Sequence, residues 1–522
     1  MLALLPAQND DVEPLLFDKG PMKGRWVSLG ILALALALRL AWLGVKPAHF
    51  DEGVNGYFVD EMTRTGFYHY DPTNFHGPLH FYLLFVAQTL LGRHEWALRL
   101  PLALLSTGCV ALMLAFRPFF GKGVCQLAAL AMAISPGFVF YGRYAIHESE
   151  LVFFMMLMVW GLIGLCHFGT RRHLWAAGVG LAGMLLTKET WIIHAFAFAL
   201  GYGTLLWLER IMPSAPFTPA EPQWTRRDLH TVTAVCIGAV LFFYSGCLLD
   251  VSSLEGLWIS LFAWIHTGMH GATGHEKPAW YWFELMARYE WPALLGVAAG
   301  ATLTFQQNNR HLRWLCISAG GALVAYAIVS YKTPWCLIAI VWPFYFAFAA
   351  GVIALARWLD RWVIGVATAG VLAYSLLGST VLNFRTFADE TEPYVYVQTR
   401  LDINRLLGPL RTLVARDAMN YHITGYVVLA DLHPLPWLLA DFTRVKIVNL
   451  TDLPEDVSDS EFFLVAEEYK DEIERLLRGE WFREAITIRG NSGTTQWVYL
   501  RTAKFGALFP GRIPEFNADE AP

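Results

Sequence analysis

The sequence predicts an α-helical polytopic membrane protein that carries a soluble α/β domain after its last membrane helix. Of the 522 residues, 55% are hydrophobic and 21 are Trp. The mean hydropathy of +0.40 is too high for a soluble globular protein. Apolar stretches long enough to cross a bilayer recur along most of the chain, and a polar composition follows them. We therefore predict a membrane module at residues 23–382 with about 11 transmembrane helices, and a soluble domain at residues 383–522.

Charge and cysteine content exclude some classes of partner. The formal net charge of -5 is small for this length, so it gives no electrostatic case for nucleic acid as a partner. The seven cysteines lie in or beside apolar stretches. This placement favours small core residues over a disulfide framework or a cysteine metal site.

The N-terminal segment predicts the orientation of the chain. Residues 1–22 are polar and contain three prolines, which indicates a short disordered cytoplasmic tail. The first apolar stretch follows Lys19, Lys23 and Arg25 and lacks a small-residue cleavage site. We interpret it as a retained signal anchor whose N-terminus lies in the cytoplasm.

The segment Leu79–Leu91 decides the number of spans, because it is apolar but short. If it crosses the membrane, the chain has about twelve spans and several basic loops lie outside. If it lies in the interface, about eleven spans remain and each cytoplasmic segment gains Lys or Arg, which the positive-inside rule favours. The predicted spans are approximately 26–45, 98–116, 123–141, 150–168, 173–187, 190–208, 231–249, 291–305, 313–330, 335–355 and 362–382.

This topology places two loops and the C-terminal domain on the outer face of the cytoplasmic membrane. The loops are the first outer loop at 46–97 and a later outer loop at 250–290. Within the C-terminal domain we predict strands, a helix and a closing hairpin. These lie at 426–430, 446–450 and 462–466 for the strands, 467–477 for the helix, and 485–489 with 495–500 for the hairpin around Asn491-Ser492-Gly493. No internal repeat supports a transporter built from duplicated halves.

Two acidic patches are the first candidates for chemistry. Asp51 and Glu52 follow the first span directly, and such a pair is a catalytic base, a cation ligand or an ordinary solvated loop. A second patch joins Arg143, His147 and Glu148 at the junction of two predicted spans. Ionisable groups at membrane depth cost ~2.5–3.5 kcal/mol at the centre, so they tend to be paired or functional. Arg143 either neutralises a neighbouring carboxylate structurally or binds substrate.

A His-rich stretch in the later outer loop allows two interpretations. His266 and His270 are four residues apart, and His275 and Glu276 follow. A helix would place the first two on one face as a metal site. The interleaved glycines favour a loop, in which substrate contact or anchoring in the membrane interface is the alternative.

Several motifs in this order carry a family resemblance. They are His49-Phe50-Asp51-Glu52-Gly53, Phe75–Tyr82, Glu95–Pro101, Gly142–Glu148, Leu186–Glu189 and Tyr331–Trp335. Together they resemble the GT-C superfamily glycosyltransferases. The likeness is to the group of polyprenyl-phosphate-mannose protein mannosyltransferases and aminoarabinose transferases, including the prokaryotic flippase-activity-associated branch. It covers roughly residues 26–200 well, the later spans loosely, and the C-terminal domain by placement alone.

The resemblance implies a lipid-linked sugar donor and a long first outer loop with a carboxylate that activates the acceptor. Asp51 takes the place of that carboxylate, and Glu148 takes the place of a second acidic residue. An Arg that some members carry after the acidic pair is absent, because Val54, Asn55 and Gly56 stand there. We therefore expect other residues to bind the donor phosphate, and we expect Asp51 and Glu148 to border one outward-facing cavity.

The predicted reaction transfers a sugar from a polyprenyl-phosphate donor to a protein, glycan or lipid acceptor. A base takes the acceptor proton, and a fixed cation stabilises the departing phosphate more in the transition state than in the ground state. Asp51 and Glu148 are the predicted catalytic residues. The predicted substrate-binding residues are Glu52, His76, Arg143, His147, Lys188, Glu189 and Lys332. A divalent cation held by Glu52, His147 or Glu148 is the alternative to a fixed cation.

Two rival functions fit the same residues. In a transporter or flippase component, the charged groups line a path instead of a reaction centre. In a non-catalytic assembly partner of a glycan pathway, the fold persists without the activity. Release of polyprenyl phosphate from a labelled donor separates a transferase from a carrier. The substitution Asp51→Asn separates a transferase from an inactive assembly partner, which should tolerate the change in a complementation assay.

Overall fold

The computed structural model describes residues 20–72, 74, 76–259, 262, 274–306, 309–430, 432–454, 456–490 and 494–518. The chain divides into two compact units. The helical unit comprises the residues up to Leu43 together with Glu61–Thr386, and the sheet unit comprises Gly44–Asp60 together with Phe387–Pro522. Most of the predicted N-terminal tail, the pair His266 and His270, and the turn at 491–493 lie outside the described residues.

The chain is a multi-pass membrane protein by the length and composition of its helices. Within the described residues, 7 helical segments are long and apolar enough to cross a membrane. They are Glu95–Phe120, Glu148–Phe168, Trp191–Leu208, Arg226–Tyr244, Arg310–Ile328, Pro334–Leu355 and Arg361–Phe384. Three shorter apolar helices are Leu79–Leu91, Lys122–Ala133 and Trp291–Leu303.

Each predicted span coincides with helix in the structure. The principal α-helices are α1 (Gly20–Leu40), α2 (Phe50–Thr65), α3 (Leu79–Leu91), α4 (Glu95–Ala115), α5 (Arg117–Phe120), α6 (Lys122–Ala133), α7 (Pro136–Tyr141), α8 (Glu148–Phe168), α9 (Arg171–Thr187), α10 (Trp191–Leu208), α11 (Arg226–Tyr244), α12 (Tyr281–Tyr289), α13 (Trp291–Leu303), α14 (Arg310–Ile328), α15 (Leu337–Leu355) and α16 (Arg361–Phe384). The predicted span at 123–141 is interrupted, because Pro136 begins a new helix after Ser135 caps its first turn.

Small residues let α8 and α9 approach closely. A Cβ added to Gly161 of α8 would lie 2.3 Å from the backbone N of Ala177, and one added to Gly180 of α9 would lie 2.4 Å from the backbone N of Met158. Lipid offers no hydrophobic force between helices, so close backbone packing of this kind holds membrane helices together. This contact fixes the relative position of the helix ends from which Glu148 and Lys188 project.

The sheet unit contains a mixed sheet of six strands. The strands are β1 (Thr424–Val428), β2 (Arg444–Ile447), β3 (Phe462–Ala466), β4 (Glu480–Ile486), β5 (Gln496–Arg501) and β6 (Phe516–Asn517), in the order β2-β1-β3-β5-β4-β6. β1 pairs in parallel with β2 and β3, and the other pairs are antiparallel. Its helices are α17 (Asn404–Arg416), α18 (Leu435–Leu438), α19 (Lys470–Leu476) and α20 (Thr502–Phe505).

Buried aromatic residues form the core on one face of the sheet. Tyr426, Phe463, Trp481 and Tyr499 belong to one buried cluster, and the rings of Tyr426 and Phe463 stack 5.5 Å apart. Tyr426 of β1 and Phe463 of β3 are paired in register, so their side chains lie on the same face of the sheet.

The predicted strands exist, but four of the five have different boundaries. The strand predicted at 426–430 occupies Thr424–Val428, and the one predicted at 495–500 occupies Gln496–Arg501. The strand predicted at 446–450 occupies Arg444–Ile447 because Leu450 begins a 3₁₀ turn. The first hairpin strand, predicted at 485–489, occupies Glu480–Ile486 because it pairs with β5 from Trp481 onward. The strand predicted at 462–466 matches β3.

The beginning of α2 belongs to the sheet unit and packs closely against the segment before α18. A Cβ added to Gly53 would lie 2.4 Å from Pro434 Cα, and one added to Gly56 would lie 2.5 Å from the Trp437 ring. Two glycines three residues apart lie on one helix face. This face holds the first turn of α2 against the sheet unit.

We expect Gly53→Ala to destabilise the sheet unit by about 1–3 kcal/mol, since the added methyl group meets backbone atoms that cannot rotate away. The measurement is the thermal unfolding midpoint of the full-length protein in detergent. Gly408→Ala in α17 is the matched control, because a Cβ there meets nothing within 4 Å. It should be neutral or slightly stabilising, since Ala favours a helix more than Gly does. Equal midpoints for the two variants would contradict the close packing.

Candidate functional site

The segment before α3 is held against the end of α9 by a short backbone contact. The N–H of Gly77 donates to the carbonyl of Thr187 at 3.0 Å. A Cβ added to Gly77 would lie 2.1 Å from the carbonyl O of Leu186, so this approach requires glycine. The contact brings His76 and His80 beside the residues that follow α9.

A buried ion pair lies at the centre of this region. The Lys188 ammonium donates to the Glu148 carboxylate, and the two side chains keep only 8% and 3% of their surface exposed. Burial alone would lower the pKa of Lys188, but Glu148 raises that pKa well above its ordinary value. Lys188 is therefore a cation at neutral pH, and the Glu148 carboxylate is its hydrogen-bond partner.

A second contact pairs His76 with Glu189. His76 Nδ1 lies 2.8 Å from Glu189 Oε2, and the Glu189 side chain keeps 5% of its surface exposed. Burial alone would raise the pKa of Glu189, but His76 and Lys188 outweigh burial and hold it below its ordinary value. Glu189 is therefore an anion at neutral pH.

A third contact pairs His80 with Glu150, and His147 lies beside it. His80 Nδ1 lies 3.1 Å from Glu150 Oε2, and neither side chain has exposed surface. The ring of His147 packs 3.9 Å from His80 and 4.3 Å from His76, between centroids. Burial and the neighbouring cationic groups hold the pKa of His147 well below its usual range, so its imidazole is neutral.

The side chains of these three contacts, together with His147, are called the buried cluster below. They are His76, His80, His147, Glu148, Glu150, Lys188 and Glu189. Among the described residues, His147 Nε2 and Glu150 Oε1 are buried without a hydrogen-bond partner. Unpaired buried polar atoms are costly, typically about 1–3 kcal/mol each, and are common where a substrate supplies the missing partner.

The depressed pKa of Glu189 predicts acid sensitivity. A carboxyl whose pKa is lowered on folding stabilises the fold above its unfolded pKa, and this contribution is lost as pH falls through the folded pKa. We expect the stability difference between wild type and Glu189→Gln to be constant above about pH 5 and to shrink below about pH 4. Thermal unfolding in detergent across this range is the measurement. Glu61→Gln is the control, because Glu61 makes a surface pair with Arg64. A difference that does not change with pH would contradict the assignment.

Arg143 holds the end of α1 and does not pair with the acidic patch. Its guanidinium donates to the carbonyls of Leu38, Arg39, Ala41 and Trp42. The last carbonyls of a helix lack backbone partners, and an arginine fork satisfies several of them. The interpretation in which Arg143 neutralises Glu148 or Glu150 is wrong, because those carboxylates contact Lys188 and His80.

Lys332 is a buried ammonium that donates to backbone carbonyls. Its Nζ donates to Lys277 at 3.1 Å and also to Val329. Its backbone N–H donates to His275, next to a β-bridge between Glu276 and Tyr331. Burial lowers the pKa of Lys332. Within the part of the chain that the structure describes, no carboxylate lies within 4.0 Å of this ammonium.

Asp51 and Glu52 lie in the first turn of α2, in the sheet unit. Glu52 Oε2 accepts the N–H of His49 at 2.9 Å, which caps the helix. Asp51 N–H donates to His49 Nδ1 at 3.1 Å, and His49 Nε2 donates to Tyr396 O at 2.8 Å. The Asp51 side chain keeps 37% of its surface exposed. Asp51 is accessible, whereas Glu52 is buried and serves the helix end.

Two residues near Asp51 were not identified from the sequence. The Arg489 guanidinium lies 4.7 Å from the Phe50 ring, and the His433 ring lies 5.5 Å from it. Burial lowers the pKa of both Arg489 and His433, while the Asp51 charge opposes this shift in each. Nothing in the sequence around residues 433 or 489 signals this proximity to Asp51.

The predicted metal ligands are divided between the two units. Glu52 belongs to the sheet unit, while His147 and Glu148 belong to the helical unit. Among the described residues, no group of three or more His, Cys, Asp and Glu side chains is arranged to hold a metal ion. No step of the predicted sugar transfer is therefore assigned to a metal ion. That Asp51 and Glu148 border one cavity stays a prediction.

A solved structure shares the fold of this chain, which supports the resemblance to GT-C glycosyltransferases seen in the sequence. The chain aligns with the crystal structure of ArnT from Cupriavidus metallidurans bound to undecaprenyl phosphate, with a TM-score of 0.61 and 15% identity. The alignment covers 91% of this chain and 98% of ArnT. The apo structure of the same protein gives a TM-score of 0.58 at 16% identity over the same shares.

Sequence comparisons match parts of the chain to mannosyltransferases. Residues 75–217 match the family described as dolichyl-phosphate-mannose-protein mannosyltransferase. YkcB of Bacillus subtilis strain 168, which carries a provisional mannosyltransferase name, is 29% identical over 184 residues. This match covers 32% of the present chain and 26% of YkcB, so the chain spans about a quarter of that relative. YycA of the same organism, with a similar provisional name, is 29% identical over 136 residues, 24% of this chain and 20% of YycA.

Proposed function

We propose that the protein is a membrane glycosyltransferase that moves a sugar from a polyprenyl-phosphate carrier to a hydroxyl acceptor. One observation carries the proposal: the segment at 75–217 that matches the mannosyltransferase family is the segment that contributes every member of the buried cluster. The undecaprenyl phosphate in the ArnT structure supports the lipid class of the donor. The acceptor is a protein, a glycan or a lipid.

The proposed topology has eleven spans, with α3 in the interface. Seven segments meet the length and composition of a span, and α1, α6 with α7, α9 and α13 supply the others. Basic residues favour a cytoplasmic location for the loop between α8 and α9 and for the loop between α10 and α11. The buried cluster and the sheet unit then face the outer side of the cytoplasmic membrane.

In this proposal Asp51 is the general base. As the acceptor oxygen attacks the anomeric carbon, its proton moves to the Asp51 carboxylate. The bond between that carbon and the phosphate oxygen breaks, and the electron pair leaves with polyprenyl phosphate. Phosphate leaves without protonation, so no acid is required, in contrast to glycoside hydrolysis. The exposed part of Asp51 allows an acceptor to reach it.

The fixed charges divide into two roles. Lys188 is neutralised by Glu148, so this pair orients polar groups of the donor through its remaining donors and acceptors. Lys332 keeps a cation without a carboxylate partner among the described residues, which suits the charge that develops on the leaving phosphate. Neutral His147, with Nε2 unpartnered, suits a hydrogen bond to the sugar or the phosphate.

Four predicted substrate-binding residues receive positioning roles instead. Arg143 holds the end of α1, and Glu52 caps α2 beside Asp51. His76 and Glu189 hold the loop before α3 beside Lys188. These assignments follow from the contacts that each side chain already makes.

The test is turnover by the purified full-length protein in detergent. Radiolabelled undecaprenyl-phosphate mannose is incubated with it, and membranes of a strain that lacks the protein supply the acceptor. We expect undecaprenyl phosphate to be released and label to enter an acceptor fraction. Undecaprenyl-phosphate aminoarabinose is tested in parallel, since the sequence motifs resemble aminoarabinose transferases as well as mannosyltransferases. Binding of these donors without release, or the absence of binding, would overturn the proposal in favour of a carrier or a non-catalytic partner.

A further inference from the structure

A cavity lies in the helical unit at the end where α13 and α15 finish and where α6 and α14 begin. Its volume is about 170 Å³, comparable with the roughly 150 Å³ of an engineered cavity that holds benzene. Phe120, Leu303 and Ile353 are among its apolar lining residues. Arg313, Arg357 and Gln306 are among its polar ones. Residues 307 and 308 lie outside the described residues.

The cavity is separate from the buried cluster and from Lys332. It lies near the beginning of α14, whereas Lys332 follows the end of that helix. A helix of 19 residues is about 28 Å long at a rise of 1.5 Å per residue, close to the thickness of the bilayer core. The cavity and Lys332 therefore lie near opposite surfaces of the membrane.

Arg313 is built into this cavity with one donor group left over. Its residue surface is 1% exposed. Nε donates to Thr304 O at 2.9 Å, and Nη1 donates to Met212 O at 3.1 Å and to Ser214 Oγ at 2.8 Å. Among the described residues, Nη2 is buried and has no hydrogen-bond partner. A buried guanidinium that is held at two nitrogens and unpaired at the third is preorganised for an anion.

The neighbouring charges leave this end of the bundle positive. Glu209 accepts from Arg310 at 2.9 and 3.1 Å, so its charge is compensated. Arg357 follows the end of α15, lines the cavity and is exposed. The lining thus combines two guanidinium groups with an apolar wall. Basic pockets between membrane helices bind the head groups of anionic lipids, and guanidinium matches a phosphate oxygen pair in geometry.

We propose that this cavity binds the phosphate head group of an anionic membrane phospholipid, in the leaflet opposite the buried cluster. Arg313 Nη2 and Arg357 contact the phosphate oxygens. The apolar wall formed by residues such as Phe120 and Ile353 covers the glycerol backbone and the first carbons of the acyl chains. A free phosphate ion shares the anionic chemistry but would leave this wall uncovered, which is why the lipid is the better occupant. The inference does not depend on the proposed transferase reaction.

The test is a titration of the full-length protein in detergent with dioctanoyl phosphatidylglycerol. The thermal unfolding midpoint, followed by tryptophan fluorescence, should rise and saturate. Dioctanoyl phosphatidylcholine and inorganic phosphate at matched ionic strength are the comparison ligands. We expect little shift from either, since the first has no net charge and the second has no apolar part.

Two variants locate the response. Arg357→Gln should weaken the apparent affinity for phosphatidylglycerol about tenfold, since a hydrogen bond to a charged group contributes about 1.5 kcal/mol or more. Arg361→Gln is the matched control, because Arg361 is an exposed arginine near this end that does not line the cavity. Arg313→Met should abolish saturable binding, and Arg357→Gln keeps the test valid if the Arg313 variant does not fold.

Some outcomes overturn the proposal. An equal response to phosphatidylglycerol and phosphatidylcholine would show that the site does not select a head group with a net negative charge. An equal response to inorganic phosphate would overturn the assignment to a lipid. Equal losses in the Arg357 and Arg361 variants would show a general effect of surface charge instead of a site.

Discussion

Asp51→Asn should lower the rate of sugar transfer by about 10²–10⁴-fold, the usual contribution of a positioned general base. The amide has the same size as the carboxylate but cannot accept the acceptor proton. The Asp51 N–H donates to His49 Nδ1 at 3.1 Å, while the Asp51 carboxylate lies 3.7 Å from that atom, beyond hydrogen-bond distance, so the first turn of α2 should keep its structure. The loss should therefore fall on kcat, with donor binding nearly unchanged.

The measurement is steady-state release of polyprenyl phosphate, together with donor binding by the same preparation. Glu61→Gln is the matched control on the same helix, since Glu61 makes a surface pair with Arg64 that is worth little to stability. We expect its rate to equal that of wild type. If Asp51→Asn retains more than about a tenth of the wild-type rate, Asp51 is not the base.

The second large effect should come from the pair of Glu148 and Lys188. Removing one partner of a buried ion pair leaves an uncompensated charge and costs about 3–5 kcal/mol. Lys188→Met and Glu148→Gln should each lower the thermal unfolding midpoint and the transfer rate. Both side chains are almost fully buried, so solvent screening does not reduce this penalty much.

The double variant Glu148→Gln with Lys188→Met separates a structural role from a functional one. With both charges removed, no buried charge is left unpaired, so most of the stability should return. The transfer rate should stay low, because the polar groups proposed to orient the donor are absent. Recovery of the rate along with the stability would show that the pair serves the fold alone.

The sequence predicted the helices well because hydrophobic burial is a local property of the chain. A run of apolar residues long enough to cross a bilayer must hide its backbone polar groups in a helix, whatever its neighbours are. The length of the apolar run at 123–141 predicts one continuous span, although Ser135 followed by Pro136 is a signal for the start of a new helix. The strand at 462–466 was predicted correctly because it is apolar throughout and buried from Phe462 to Val465.

The partners within the candidate site were less predictable. Lys188 contacts Glu148 from 40 residues away, and His76 contacts Glu189 from 113 residues away. The sequence shows that charged groups lie at helix ends, but the packing of α8 on α9 decides which charges meet. Arg143 illustrates the limit, since it lies five residues before Glu148 and yet donates to carbonyls at the end of α1.

The grouping of Gly44–Asp60 with Phe387–Pro522 has a consequence for the timing of synthesis. The ribosome makes the loop with Asp51 well before the residues against which it packs, such as Pro434 and Arg489. At roughly 5–20 residues per second, the interval is on the order of 20–90 s. During that interval the membrane helices are inserted, while the loop with Asp51 lacks the sheet-unit residues against which it packs. A chain released before these later residues are made would therefore lack the contacts that hold the loop with Asp51. Such an incomplete enzyme would not consume lipid-linked sugar.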